Sequence, residues 1–347
     1  MSGLPPAVPR DIRDPAATRV IEAAAQRLGT AAPRPGGTTM ASTGAAGTLA
    51  IVLETEGSTY ARAGALVLFA PARQVGWLSG GCLEPEIEQR AHAAATQARL
   101  DWIEIDTRDD AALFSGNAVG CRGRQRVALL PLDALPGIGA VFEAWLAGHG
   151  PLQLALSAGG GVDVECDGRR SHHALHTTAP PWPPACDGWV LRWMPPPRAV
   201  LLGAGPEAAP LVGTLAGLGW QARVLDRRPA WRARSTVAVD DAPLAQLATP
   251  GSRPAEAAIV MHHNFELDLE ALAQLAATDI PFIGLLGPAR RREELFQLLP
   301  EATRASLAPR LRSPVGLELG GRGPEAIALS IAAQLQAWRH DAPPPPR

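Results

Sequence analysis

The chain has 347 residues, 46% of them hydrophobic, and a formal net charge of −2; it is long enough for two ordinary domains and has no arginine excess to suggest nucleic acid as a partner. No apolar run is long enough to cross a bilayer, and the opening MSGLPPAVPRDIRDP lacks the charged-then-apolar pattern of a secretory signal, so the chain reads as cytoplasmic. All 32 basic residues are arginine, which excludes Schiff-base and P-loop lysine chemistry, and four scattered cysteines make no disulfide framework.

In chain order, residues 1–45 are rich in Pro, Ala, Gly and Thr and are expected to be poorly ordered, apart from a short helix at ATRVIEAAAQRL. Order is expected to begin with TLAIVLETEG, a strand ending at Gly57. GALVLFAP and QVGWLSGG read as further strands. LEPEIEQRAHAAATQARL places acidic residues first and arginine last, the charge order that a helix dipole favours. Strands DWIEID and RQRVALLPL complete a mixed α/β domain spanning residues 46–147. Residues 148–196 read as a connecting segment. LQLALS and GWVLRWM are strands there, and Cys166, His172, His173, His176 and Cys186 lie between them. Their spacing fits no zinc pattern, and an irregular surface loop is the plainer reading.

A proline hinge at MPPP opens the last domain, residues 197–340, followed by a proline-rich tail at 341–347. Strand AVLLG, a glycine turn, an apolar helix and a second strand ending in Asp226 come first. AAIVMHH with ELDLEALAQLAA and PFIGLLG with PARRREELFQLL follow, then the helix GPEAIALSIAAQLQAWR. Strands alternating with helices of this length specify a parallel sheet wound on both faces. Gly203 and Gly205 fit the first two positions of the dinucleotide fingerprint, and Ala208 fits the third. Asp226, about 20 residues on, stands where a carboxylate accepts from ribose hydroxyls. Pro206 removes one amide from the anion cradle. This pattern admits NAD(P), but no placed acid or base for hydride transfer accompanies it beyond His262 and His263.

The chemistry of the first domain gathers at two glycine-flanked cysteines. In GWLSGGCLEPEIE, Ser79, Gly80 and Gly81 can place successive amides around a hollow, and Cys82 falls near a helix N-terminus, which favours thiolate. In GNAVGCRGRQ, Cys121 is followed by Arg122 and Arg124, forks for phosphate or carboxylate. The amides would suit a phosphate as well. The structural alternative is a pair of small buried thiols in tight turns.

On these segments the chain resembles the XdhC/CoxI family, accessory proteins of xanthine dehydrogenase and related molybdenum hydroxylases. EGSTYARAGALVL is similar to its early block, with Gly57, Ser58, Arg62 and Gly64 in place. VGWLSGGCLEPEI is similar to its S-G-G-C signature, and VGCRGRQRVALLPL to its second cysteine block. PPPRAVLLGAG, VLDRRP, FIGLLGPARRR and SPVGLELGGRGPEAIALSI are similar to its Rossmann half. The chain departs from the family at Pro206, where histidine is usual, and at Phe265, which replaces a histidine, while His263 and Asp268 are kept.

The resemblance implies a chaperone and not a metabolic enzyme. It would bind the molybdenum cofactor (molybdopterin) transiently, protect it while a cysteine desulfurase supports its sulfuration, and insert it into an apo-hydroxylase of the xanthine dehydrogenase type. It implies Cys82 as the first cofactor contact, Cys121 as the second, and a homodimer. An NAD(P)-dependent oxidoreductase built on Gly203, Gly205 and Asp226 is the competing reading, and a scaffold that binds no small molecule is a third.

Overall fold

The computed structural model describes residues 11–30, 45–108, 122–182, 188–242 and 255–341. They divide into two compact units, the first ending at Pro196 and the second beginning at Pro197.

The first unit contains, in order, β1 (Asp11–Ile12), α1 (Pro15–Arg27), β2 (Thr48–Gly57), β3 (Leu66–Ala70), β4 (Arg73–Val75), α2 (Glu84–Gln97), β5 (Arg99–Asp106), β6 (Gly123–Pro131), α3 (Ile138–Leu146), β7 (Leu152–Ser157), β8 (Gly161–Cys166), β9 (Arg169–Ala174), β10 (His176–Thr177) and β11 (Gly188–Trp193). A six-stranded sheet runs β10-β5-β6-β2-β3-β4, and a five-stranded sheet runs β1-β11-β7-β8-β9. Side-chain alternation splits the larger sheet between two cores. Leu49, Ile51 and Leu53 of β2, with Leu66 and Leu68 of β3, face a core shared with α1, α3 and the smaller sheet. Ala50 and Val52, with Val67 and Phe69, face a second core closed by Ile87, Ala91 and Ala94 of α2. Helix α2 therefore packs flat on the sheet, and its N-terminus is pinned where β4 hands over to the Ser79–Cys82 turn.

Three expectations are corrected. Within the stretch expected to be poorly ordered, the helix expected at ATRVIEAAAQRL is present as α1, and order extends beyond it to β1, with Val20 and Ile21 fully buried. Asp14 caps α1 by accepting from the Ala16 amide at 2.9 Å, with Pro15 opening the helix. Residues 161–174, between the two expected strands, are the regular antiparallel strands β8 and β9 and not an irregular loop. Val162, Val164 and Cys166 point inward while Asp163 and Glu165 point out, the period of two that defines a half-buried strand. The strand expected at QVGWLSGG stops at Val75. Gly76 takes φ +95°, and a Cβ there would lie 2.5 Å from the Leu66 carbonyl oxygen.

The second unit contains β12 (Arg198–Leu202), α4 (Ala208–Gly217), β13 (Gln221–Leu225), α5 (Pro229–Arg234), β14 (Val239–Asp240), β15 (Ala257–Val260), α6 (Phe265–Ala276), β16 (Phe282–Leu285), α7 (Ala289–Leu298), α8 (Glu301–Leu307), β17 (Leu311–Arg312) and α9 (Pro324–Asp341). All its strand pairs are parallel, in the order β14-β13-β12-β15-β16-β17. Counted from the first strand this is 3-2-1-4-5-6, the Rossmann order, whose crevice lies where β12 and β15 diverge. Ala199, Leu201 and Ile259 face α4 and α9, while Val200, Leu202 and Val260 face α6, α7 and α8. Both faces are apolar because both are covered. Asp341 ends α9, and the rest of the 341–347 tail lies outside the described residues.

Candidate functional site

The Ser79–Cys82 turn is built around a buried carboxylate. Oε1 of Glu84, the first residue of α2, accepts the Leu78 amide at 3.0 Å and the Ser79 amide at 2.8 Å, and Oε2 accepts the Ser79 hydroxyl. Ser79 Oγ in turn accepts the amides of Gly81 at 3.1 Å and Leu83 at 3.2 Å. Both side chains are buried, Ser79 at 3% and Glu84 at 4% exposure. Burial acts to raise the Glu84 pKa, but the Ser79 hydroxyl and the Ser79 and Leu78 amides outweigh it and hold the carboxyl below its ordinary range. Gly81 takes φ +104°, which a β-carbon would oppose. The turn that results presents Cys82 to solvent just ahead of α2, with its thiol 3.7 Å from Ser79 Oγ.

This arrangement alters the expected anion cradle. The amides of Leu78, Ser79, Gly81 and Leu83 are spent on Glu84 and Ser79, and only those of the exposed Gly80 and Cys82 lack an acceptor among the described residues. Glu84 is the residue that sequence reasoning missed. Its signal was the S-x4-E spacing, which lets a carboxylate in the first helical turn reach back over the glycines.

The second cysteine block is partly described, and Cys121 itself lies outside the described residues. Arg122 is exposed, and its carbonyl accepts the Ser58 amide at 2.9 Å. Arg124, expected to serve an anion, is bound by carboxylates: its Nη2 reaches Asp106 at 3.0 Å and its Nε reaches Glu104 at 3.0 Å. Gly123 approaches the 57–60 loop so closely that a Cβ would lie 2.6 Å from the Ser58 carbonyl oxygen. It thereby joins Ser79, Gly80, Thr59, Tyr60 and Gln125 around a cavity of about 20 Å³. The two cysteine blocks and the early GS-x-x-R block thus converge on one spot.

In the second unit the glycine turn follows β12 as expected. Gly203, at φ +121°, would place a Cβ 2.5 Å from the Met261 carbonyl oxygen. The fingerprint's polar groups, however, bond to each other. Asp226 is 2% exposed and accepts from the Ala204 amide at 2.9 Å, the Arg228 amide at 2.9 Å, and Arg228 Nε and Nη2 at 2.9 and 2.7 Å. Those four bonds use the capacity of a carboxylate. Burial acts to raise its pKa, while Arg228 and the two amides hold it below the ordinary range. Glu207, buried at the N-cap of α4, pairs with His263 Nε2 at 3.0 Å, and its Oε2 lies 3.0 Å from where a Gly205 Cβ would stand. A carboxylate of the chain therefore occupies the turn where a dinucleotide would put its pyrophosphate. Asp268, 1% exposed, binds His262 Nδ1 at 3.1 Å and Arg291 Nη2 at 2.6 Å.

Cys166 is a different kind of thiol. It is buried against the Gly150 carbonyl oxygen at 3.4 Å, and burial pushes its pKa up to about 11. His172 pairs with Asp163 and His173 with Ser171, and Cys186 lies outside the described residues. No cluster of metal-ligating side chains occurs among the described residues, and no described helix is long and apolar enough to cross a membrane.

Fold and site together define a two-unit α/β protein that carries an exposed cysteine on a carboxylate-braced glycine turn in one unit and a Rossmann-type sheet in the other. The chain belongs to the XdhC and CoxI family: that family's model matches residues 40–104, and the XdhC Rossmann domain matches residues 199–335. It is similar to a probable xanthine dehydrogenase subunit of Bacillus subtilis (strain 168), with 30% identity over 310 residues, 83% of this chain and 91% of that protein. The uncharacterized protein YqeB of Escherichia coli (strain K12) is 31% identical over 160 residues, 42% of this chain and 28% of its own length. A crystal structure of a xanthine dehydrogenase from Bacillus halodurans superposes with a TM-score of 0.70 at 28% identity, covering 93% of this chain and 96% of that one.

Proposed function

We propose that this chain is an accessory protein of a xanthine dehydrogenase-type molybdenum hydroxylase, and that it holds the molybdenum cofactor as cargo before insertion. Support comes from the kinship with a probable subunit of xanthine dehydrogenase and from one structural observation: a solvent-exposed cysteine on a turn that its own buried glutamate makes rigid. A thiol is the soft ligand a molybdenum–sulfur centre favours, and a braced turn keeps it presented without ordering cost on binding. The cofactor's phosphate finds little at this turn, because the amides that would bind it are engaged with Glu84 and Ser79. A cysteine desulfurase as sulfur source, an apo-hydroxylase as recipient, and self-association as a homodimer complete the reading, on the strength of the family resemblance.

The test is retention. Purified chain mixed with molybdenum cofactor and passed over a sizing column should carry molybdenum with it, and Cys82→Ser should lower the amount at least tenfold. Equal retention by the variant would remove Cys82 from the role. The nicotinamide-dependent oxidoreductase is the weaker reading, because Asp226 has no acceptor position left for a ribose and Glu207 sets a negative charge where a pyrophosphate would sit.

A further inference from the structure

Gln125, which lines the cavity beside the Cys82 turn, carries a buried acceptor with no donor among the described residues. Gln125 on β6 is 5% exposed. Its Nε2 donates to the Leu78 carbonyl at 3.3 Å, and because a carbonyl only accepts, that bond fixes which end of the amide is nitrogen. Oε1 is consequently directed elsewhere, and it is buried without a hydrogen-bond partner among the described residues. Native interiors rarely leave such an oxygen unmatched. Gln125 lines the cavity with Ser79, Gly80, Thr59, Tyr60 and Thr107. At about 20 Å³ the space suits one water-sized group, such as an amino or imino N–H, and neither a ring nor a phosphate.

The surroundings indicate what would bear that N–H. Among the described residues, the exposed large apolar side chains include just two aromatics, Tyr60 at 59% and Trp77 at 57% exposure, and both border this turn. Tyr60 lines the cavity itself, and Trp77 Cζ3 lies 4.0 Å from the position of a Cβ on Gly81. Exposed aromatic faces are costly to leave in water and are natural stacking surfaces for flat heterocycles.

We infer that this pocket reads the N–H-bearing edge of a planar heterocycle, with Gln125 Oε1 accepting from it and Tyr60 and Trp77 offering faces to the ring. The inference rests on the function proposed above, in which the heterocycle is the cofactor's pterin, presenting its aminopyrimidinone edge to Gln125. Gln125 thus selects the organic part of the cargo, while Cys82 concerns its metal–sulfur part.

Metal-free 6-hydroxymethylpterin, titrated into the full chain and followed by its own fluorescence, tests this without the loaded cofactor. The expected result is saturable binding that weakens at least tenfold in Gln125→Leu and in Tyr60→Ala. A pterin alkylated at N3 and dimethylated on its amino group, which has no ring-edge N–H to give, should bind the native chain no better than pterin binds Gln125→Leu. Tyr60 is exposed, so Tyr60→Ala does not depend on whether the buried substitution folds. Lack of binding to the native chain, equal binding by both variants, or equal binding of the alkylated pterin would each overturn the inference. Molybdenum retention separates the two readings. If Gln125→Leu and Tyr60→Ala hold the loaded cofactor and the metal-free pterin as the native chain does, the proposed function stands and this inference falls. If pterin binding depends on Gln125 but the native chain carries no molybdenum through the sizing column, this inference stands and the proposed function falls.

Discussion

Glu84 and Ser79 are bonded twice over: Oε1 of the glutamate accepts the serine amide at 2.8 Å, and Oε2 accepts the serine hydroxyl. This pair converts a glycine-rich stretch into a fixed platform. Gly80 and Gly81 supply the permissive backbone, and the carboxylate supplies the rigidity that glycine lacks. Removing the carboxylate leaves two buried amides and a buried hydroxyl without their partner. Glu84→Ala should therefore cost the first unit about 3 kcal/mol in denaturant unfolding, the range for charged buried hydrogen bonds. It should also speed reaction of Cys82 with a thiol reagent by letting the turn move. A variant of native stability would mean that the turn is held by its backbone alone.

The same pair predicts the response to acid. The Glu84 carboxyl is held below its ordinary value of 4.5, so its stabilising contribution is complete above that value. It is lost as pH falls through the lower, folded-state value, where the proton taken up breaks the bonds to Leu78 and Ser79. Asp226 behaves with the same sign in the second unit, starting from 3.8. Chemical denaturation followed from about pH 6 down to about pH 3 should show falling stability, and Glu84→Gln should flatten the slope contributed by the first unit. A slope unchanged by that substitution would assign acid sensitivity elsewhere.

The two described cysteines should separate cleanly by reactivity. Cys82 is exposed, whereas Cys166 is buried and its pKa is pushed up to about 11. In a chain carrying Cys121→Ser and Cys186→Ser, an aromatic disulfide reagent at neutral pH should label one thiol within minutes. The second should react only after unfolding. Rapid labelling of both in the native state would contradict the burial of β8.

How much of this was legible beforehand differs by level. The parallel sheet of the second unit announced itself through strand–helix alternation and the Gly203–Gly205–Asp226 spacing, since both depend on local sequence. The placement of Cys82 ahead of α2 was readable for the same reason. The tertiary use of the polar residues was not. Nothing in GAGPE or SGGCLE distinguishes a turn waiting for a phosphate from one already filled by its own glutamate, because the difference is the rotamer of Glu207 or Glu84. Arg228 was likewise invisible as the partner of Asp226, and Gln125 as an orphaned acceptor, because both depend on what surrounds them. Helix α1 was legible in ATRVIEAAAQRL, whereas the order of the residues just ahead of it was masked by the Pro and Gly content of residues 1–45.

The last prediction concerns the Rossmann turn. Asp226 is saturated by Arg228 and the Ala204 amide, and Glu207 lies buried at the N-cap of α4 against His263. A pyrophosphate entering there would meet a like charge beside the amides that ordinarily attract it. Pro206 has already removed one of those amides. NADH and NADPH titrated against tryptophan fluorescence should accordingly produce no saturable change, and no carbonyl substrate should be turned over. Glu207→Ala withdraws the repelling charge, so the variant should gain measurable affinity for inorganic pyrophosphate while losing the anchor of His263. Saturable binding of either nicotinamide to the native chain with a Kd below about 100 μM, worth roughly 5.5 kcal/mol, would show that the Glu207–His263 pair opens to admit a dinucleotide. That result would restore the oxidoreductase reading to contention.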